Sequence, residues 1–193
     1  MTWAPRRIVT GHDVTGRSVV LSDGVPPVRR EVPDAGVSFF ELWNTNGAPA
    51  DISAAEPEPT ERPLRVPPTP QGTVVRINQF LPGRLSPAGL QSPVHRTETV
   101  DYGLVLEGEM WLVLDDTEVH LHAGDIVVQR GTDHAWANRS DQVARMAFIL
   151  VDGRFTTELD QLIGPEARAR MGHAAEPRAA EPEDARPGTE NGS

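Results

Sequence analysis

From Val94 to Val151 the chain is a succession of short β-rich segments: Tyr102 to Leu106, Met110 to Leu114, Glu118 to Leu121, Asp125 to Val128, Ala135 to Ala137 and Ala144 to Val151. Polar, glycine-containing or acidic turns separate them, among them Glu107-Gly108-Glu109, Asp115-Asp116-Thr117, Ala123-Gly124 and Arg139-Ser140-Asp141. Parallel strands need a long crossover, usually a helix, and turns this frequent leave no room for one. The pattern therefore predicts an antiparallel sandwich or barrel.

The flanks read as extensions of one core, since 193 residues are too few for two comfortable ones. Residues 1–47 predict a β-arm, two extended pieces between Arg6 and Ser22 around the turn Gly11 to Gly16, followed by an aromatic strand from Gly36 to Trp43. Across 48–71 seven prolines, at 49, 57, 59, 63, 67, 68 and 70, exclude a central strand and predict an extended connector, either a lid or a surface loop. Residues 72–155 form the expected barrel core. It opens on a strand whose Val74, Arg76, Asn78 and Phe80 face away from Val75, Ile77 and Gln79. If the first set points inward, Arg76 and Asn78 are pocket residues; otherwise they belong to a solvated outer face. Residues 156–171 predict a short helix capped by Thr156 or Thr157, with Leu159, Leu162 and Ile163 on one face and a stop at Gly164-Pro165. The acidic segment 172–193 has almost nothing to bury and predicts disorder.

Composition removes several kinds of chemistry. The formal charge of -10 repels phosphate backbones and anionic membranes, so neither nucleic acid nor membrane is an expected partner. No lysine occurs, which excludes a Schiff base on this chain, and no cysteine occurs, so any metal must sit on His, Asp or Glu. No apolar run approaches the ~20 residues of a membrane span, and the start of the chain has no apolar signal stretch, so the expectation is a soluble cytoplasmic protein.

Two stretches carry metal-ligand residue types at meaningful spacing. In the first, His95 and Thr97 stand two apart, Asp101 follows, and Gly108 lies seven beyond it. In the second, Gly124 and Gly131 precede His134 and Asn138. Together they resemble the two signature motifs of the cupin superfamily, over residues 72–152. The first motif has two histidines two apart, then a glutamate and a glycine; here Thr97 stands at the second histidine and Asp101 at the glutamate. In the second motif Gln129 and Arg130 occupy the proline region, and the stretch from Gly124 to Gly131 is one residue shorter than usual.

The resemblance implies an all-β fold, a cupin-type antiparallel β-barrel or jelly roll with an N-terminal β-arm and a short C-terminal helix. It implies one divalent metal ion on His95, Asp101 and His134, Fe(II) first, with Mn, Ni, Co or Zn as alternatives. Thr97, Arg76, Asn78, Trp136 and Asn138 are then substrate-pocket candidates, although core packing explains Trp136 equally well. Arg84, Arg96, Arg130 and Arg145 join Arg76 as candidates for gripping a substrate carboxylate. His120 and His122 lie between the motifs, where the family has no ligand, and read as solvent-facing or rim residues.

Three functions follow from the resemblance to small stand-alone cupins of secondary-metabolite pathways. The first is a lyase, a decarboxylase or dehydratase, using the metal as a Lewis acid on a small oxygenated carbonyl or carboxylate metabolite, with Glu98 or a metal-bound hydroxide as base. The second is an Fe(II)-dependent dioxygenase or oxidoreductase on the same ligands, and the third a non-catalytic barrel that binds a small ligand. Cupin barrels commonly pair by exchanging edge strands, so a homodimer using the arm is expected.

Overall fold

The computed structural model of the chain describes residues 3–63, 65–171 and 178–179. The strands are β1 (Arg7–His12), β2 (Ser18–Gly24), β3 (Arg29–Val32), β4 (Val37–Thr45), β5 (Thr73–Phe80), β6 (Thr99–Glu107), β7 (Glu109–Val113), β8 (Glu118–His122), β9 (Ile126–Arg130), β10 (Ala135–Ala137), β11 (Ala144–Asp152) and β12 (Arg178–Ala179). The two helices, α1 (Thr157–Leu162) and α2 (Pro165–Ala169), are short. Apart from the pair Arg178–Ala179, the disorder expected of 172–193 falls outside the described residues.

All strand pairs are antiparallel. Seven strands form one sheet in the order β12-β3-β4-β5-β11-β6-β9, three form a second in the order β10-β7-β8, and the β1-β2 hairpin stands apart as the arm. The inner faces meet in a core of Val37, Val74, Phe80, Val105, Met110, Leu112, Leu121, Trp136, Ala144, Met146, Phe148 and Leu150. Strand β11 shows why: Ala144, Met146, Phe148 and Leu150 are buried, and the residues between them are not. A period of two with one apolar set is what a sheet with one covered face requires.

Two glycines, one in a turn and one within a strand, permit close packing here. Gly108 joins β6 to β7 at φ 73°, where a Cβ would lie 2.6 Å from the Val143 carbonyl oxygen, so only glycine closes this turn without displacement. Gly103 on the inner face of β6 leaves room for the Phe148 ring, which a Cβ there would meet at 3.3 Å.

The connector 48–71 lies against the arm and the barrel. Arg7 grips Glu58 with two hydrogen bonds of 3.0 and 2.7 Å, and Asn44 donates to the Pro59 carbonyl. The Arg7 bonds hold the Glu58 carboxyl down at about 2 against the opposing effect of burial. At the C-terminal end the Thr156 hydroxyl accepts from the Leu159 amide at 3.3 Å and caps α1, while Gly164 and Pro165 begin a separate α2. The expected apolar face on one helix is reduced to Ile163; Leu159 and Leu162 remain exposed. A helix of six residues has too few turns to build a stripe. Among the described residues no helix is long and apolar enough to cross a membrane.

Candidate active site

The two motif stretches meet through a pair of backbone hydrogen bonds. The His95 amide donates to the His134 carbonyl and the His134 amide to the His95 carbonyl, each at 3.0 Å, an isolated antiparallel bridge. The side chains follow the backbones, with ring centroids 4.2 Å apart at 50°. Gly131, at φ 61° and with a Cβ position 2.5 Å from the Phe155 ring, makes the turn that delivers His134 to this bridge.

Both rings border one pocket between the sheets, with about 110 Å³ of internal space. A single water needs roughly 10–15 Å³ on this measure, so the space suits a small organic molecule. Its apolar wall includes Val37, Phe39, Phe80, Trp136, Phe148 and Leu150; its polar wall includes Arg76, Asn78, Thr97, Asp101 and Gln129. The inward set on β5 is thus Val74, Arg76, Asn78 and Phe80, all buried.

The polar wall is arranged with some care for charge. His95 Nδ1 lies 2.9 Å from the Pro93 carbonyl, and His134 Nδ1 lies 3.1 Å from the Thr132 carbonyl and 2.8 Å from the Gln129 side-chain amide. A proton on His95 Nδ1 donated to the Pro93 carbonyl leaves its Nε2 with a free lone pair, the orientation that a metal-ligating histidine adopts. At His134, by contrast, the Gln129 amide N–H donor and the Thr132 carbonyl acceptor compete for Nδ1. Burial, then the neighbouring His95, pushes His134 down to about 3, and burial likewise lowers His95, so both rings are neutral at pH 7. Asp101 is pushed up to about 6 by burial, against the Thr99 hydroxyl, Arg76 and the Thr97 hydroxyl, and its Oδ1 is buried without a hydrogen-bond partner.

Arg76 is buried beside Glu41, Nη1 to Oε1 3.7 Å, and donates from Nη2 to the Val66 carbonyl. Val66 belongs to the connector and also lines the pocket, so part of the proline-rich stretch covers the site. Behind His134, Asp133 receives Arg96 at 3.0 Å and Arg170 at 2.7 Å, which ties the second motif to the first and to the end of α2. Burial raises the Asp133 carboxyl, but the two guanidinium groups outweigh it and hold it below the ordinary range.

Of the residues singled out from sequence, His95, Thr97, Asp101, His134, Arg76, Asn78 and Trp136 line the pocket. Trp136 is both wall and core, edge-on to Phe148 at 5.4 Å and to His134 at 5.8 Å. The remaining candidates, Asn138, Glu98, Arg84, Arg96, Arg130 and Arg145, lie outside the pocket lining. Asn138 is fully buried, donates to the Phe80 and Gln142 carbonyls and accepts from Ser140, so its amide shapes a turn. Glu98 points away from the pocket and accepts from the Phe155 amide at 2.7 Å, because strand parity sets it opposite His95. Arg145 is engaged by Glu107, by Gln79 at 3.1 Å and by the Trp3 ring.

His95, Asp101 and His134 do not bring one ligand atom each within 4.8 Å of one another; among the described residues the single group of His, Asp and Glu side chains that does is Glu109, His120 and His122, on the β7-β8 hairpin. The pocket fits a metal through its two imidazoles, with the buried, unpartnered Asp101 carboxylate on the same wall. Gln129 was not readable as a pocket residue, since its role follows from standing opposite Asp101 across β6 and β9. Phe39 and Glu41 come from a strand more than fifty residues before His95, and no local spacing could have linked them to it.

An antiparallel double-sheet barrel whose two motif histidines share one internal pocket defines a cupin. This chain belongs to the cupin family: the Cupin domain family matches residues 83–161. Among its relatives, phomopsin biosynthesis cluster protein C' of Diaporthe leptostromiformis is 36% identical over 156 residues, covering 78% of this chain and 79% of that protein. The cupin-domain-containing oxidoreductase fogC of Aspergillus ruber is 35% identical over 154 residues, 76% of this chain and 71% of that one. The cupin domain of Schizosaccharomyces pombe Cnp3 is a similar solved structure, at 12% identity and a TM-score of 0.45, covering 83% of this chain and 93% of that one.

Proposed function

We propose that the barrel pocket is the active site of a metal-dependent cupin oxidoreductase acting on a small oxygenated carbonyl or carboxylate compound of a secondary-metabolite pathway. One observation carries this reading: two desolvated, neutral imidazoles with unengaged Nε2 atoms stand 4.2 Å apart in an apolar-walled pocket. The oxidoreductase class rests on the names of relatives such as fogC of Aspergillus ruber and virC of Hypocrea virens. A divalent metal held by His95 and His134, with Asp101 as the nearby carboxylate, would supply Lewis-acid polarisation or, as iron, one-electron chemistry.

The chain's own residues have separable roles. Trp136, Phe148 and Leu150 exclude water and strengthen every polar contact inside. The unpartnered Asp101 Oδ1 is the atom at which a proton is held or released, and its value of about 6 keeps it near the working range of a general acid or base. Asp101 also favours a second reading, a lyase in which it takes the proton-transfer role for which Glu98 faces the wrong way.

The test is turnover of a panel of small β-keto acids, β-hydroxy ketones and phenols by protein loaded anaerobically with iron(II). Oxygen-dependent product formation that disappears in His134→Ala is the expected result. Turnover without oxygen would move the assignment to the lyase, and equal turnover by wild type and a His95→Ala/His134→Ala variant would end both readings.

A homodimer is part of the proposal. On the outer face of the large sheet Tyr102 pairs with Val128 and Leu104 with Ile126; Tyr102, Ile126 and Val128 are exposed, and β9 is an edge strand. The arm adds exposed Ile8, Val20 and Leu21. Apolar rows beside an open edge are suited to a second copy. Light scattering that gives a dimer mass for wild type and a monomer mass for Val128→Glu supports this, and a monomeric wild type refutes it.

A further inference from the structure

The outer face of the β7-β8 hairpin carries a second cluster of metal-ligand type. His120 and His122 stand two apart on β8 and share a face, and across the hairpin Glu109 pairs with His122 and Trp111 with His120. One ligand atom from each of Glu109, His120 and His122 lies within 4.8 Å of the others. Glu109 Oε2 is 3.1 Å from His120 Nε2, and Asp125 Oδ2 is 3.9 Å from His122 Nδ1. The Trp111 indole stacks on His120 at 4.5 Å and 4°, and the Arg139 guanidinium sits over the same indole at 4.9 Å, which fixes the ring plane of His120.

We propose that this face is a divalent transition-metal site, separate from the barrel pocket, with Glu109, His120 and His122 as ligands and Asp125 within reach as a fourth. Two imidazoles and a carboxylate select zinc, nickel, cobalt or copper over the all-oxygen preference of magnesium and calcium. Bonds of about 2.0–2.2 Å in a tetrahedron place ligand atoms roughly 3.3–3.5 Å apart. Glu109 and His120 already stand close to that spacing, and the remaining closure is at most about 1.3–1.5 Å for a side chain, His122, that is 64% exposed and free to turn. The backbone supplies the preorganisation, because hairpin register alone sets all three side chains on one patch. The metal would join two strands of the β10-β7-β8 sheet, one of them its edge, and stabilise the hairpin by mass action.

The experiment uses tag-free full-length protein titrated with Ni²⁺ and read by tryptophan fluorescence, which a paramagnetic ion beside Trp111 quenches. In a His95→Ala/His134→Ala background, which lacks the barrel imidazoles, saturable quenching persists. It weakens by more than about tenfold in affinity when His120→Ala or His122→Ala is added. In the otherwise wild-type chain, Trp111→Phe removes the hairpin component of the quench, and circular dichroism reports folding throughout. The proposal is overturned if the hairpin substitutions leave the titration unchanged, if the barrel double variant abolishes it while remaining folded, or if millimolar Ni²⁺ gives no saturable response.

Discussion

Removing either member of the Glu41–Arg76 pair should be among the costliest polar substitutions in this barrel. Their side chains are 4% and 3% exposed, the charged atoms are 3.7 Å apart, and Glu41 Oε1 accepts no hydrogen bond, so charge compensates it, from Arg76 in the ion pair and from Arg62 nearby. At an effective dielectric near 20, that separation corresponds to about 4–5 kcal/mol of attraction. Losing one partner leaves the other charge buried with only a secondary neighbour, Arg62 for Glu41 and Asp101 for Arg76, and a cost of up to about 3–5 kcal/mol is typical of such a loss. Glu41→Leu and Arg76→Met should therefore each destabilise by that amount, a fall of about 6–20 °C in Tm for a chain of this size. The double variant should recover to within about 1–2 kcal/mol of wild type, since both desolvation penalties go with the attraction. Urea denaturation followed by tryptophan fluorescence gives the four free energies and their coupling. Single variants that each cost less than about 1 kcal/mol, or a double variant equal to the sum of the singles, would refute the reasoning. A pair this strongly coupled also has less charge to spare for a substrate carboxylate than an unpaired arginine, so Arg76 holds the wall before it holds a ligand.

Other outcomes follow from the same geometry. His134, lowered from 6.5 to about 3, contributes stability that is present above pH 6.5 and lost as pH falls toward 3; Asp101, raised from 3.8 to about 6, contributes stability that is present below pH 3.8 and lost as pH rises through 6. The two slopes oppose between about pH 4 and 6, so Asp101→Asn should make stability climb more steeply with pH across that window, by up to about 1.4 kcal/mol per pH unit. Thermal melts at several pH values check this, and an unchanged slope would count against a raised Asp101. Gly108→Ala, which forces a side chain into φ 73° and against the Val143 carbonyl, should cost at least about 1–2 kcal/mol in denaturation, and a neutral result would mean that the β6-β7 turn relaxes freely.

Much of the architecture was legible because its signals are local. Strand length, turn residues and the period of two lie within a few residues of each other, and they sufficed for an antiparallel barrel with no crossover helix. Strand parity likewise placed Glu98 opposite His95, and the structure has its carboxylate on the Phe155 amide. Other residues were ambiguous for a physical reason. Alternation on Thr73–Phe80 separated Arg76 and Asn78 from Val75 and Ile77, but a period of two does not say which side is inside; that depended on β4 and β11 flanking β5. Asn138 shares parity with His134 and Trp136, yet the turn at Ser140 draws its amide into backbone bonds and away from the pocket.

The hairpin histidines show the division most plainly. That His120 and His122 share a face follows from their spacing alone, and motif order marked them as lying between the expected ligands. Whether a carboxylate stands beside them depended on the register of β7 against β8, which sets Glu109 opposite His122. In the same way the spacing of His95 and His134 within their motifs was written in the chain, whereas their 4.2 Å approach, the burial of Asp101 and the burial that keeps both rings neutral came from bringing distant segments together. Covalent spacing fixes what a side chain is and which way its strand turns it; desolvation and through-space distance exist only once the sheets have closed on each other.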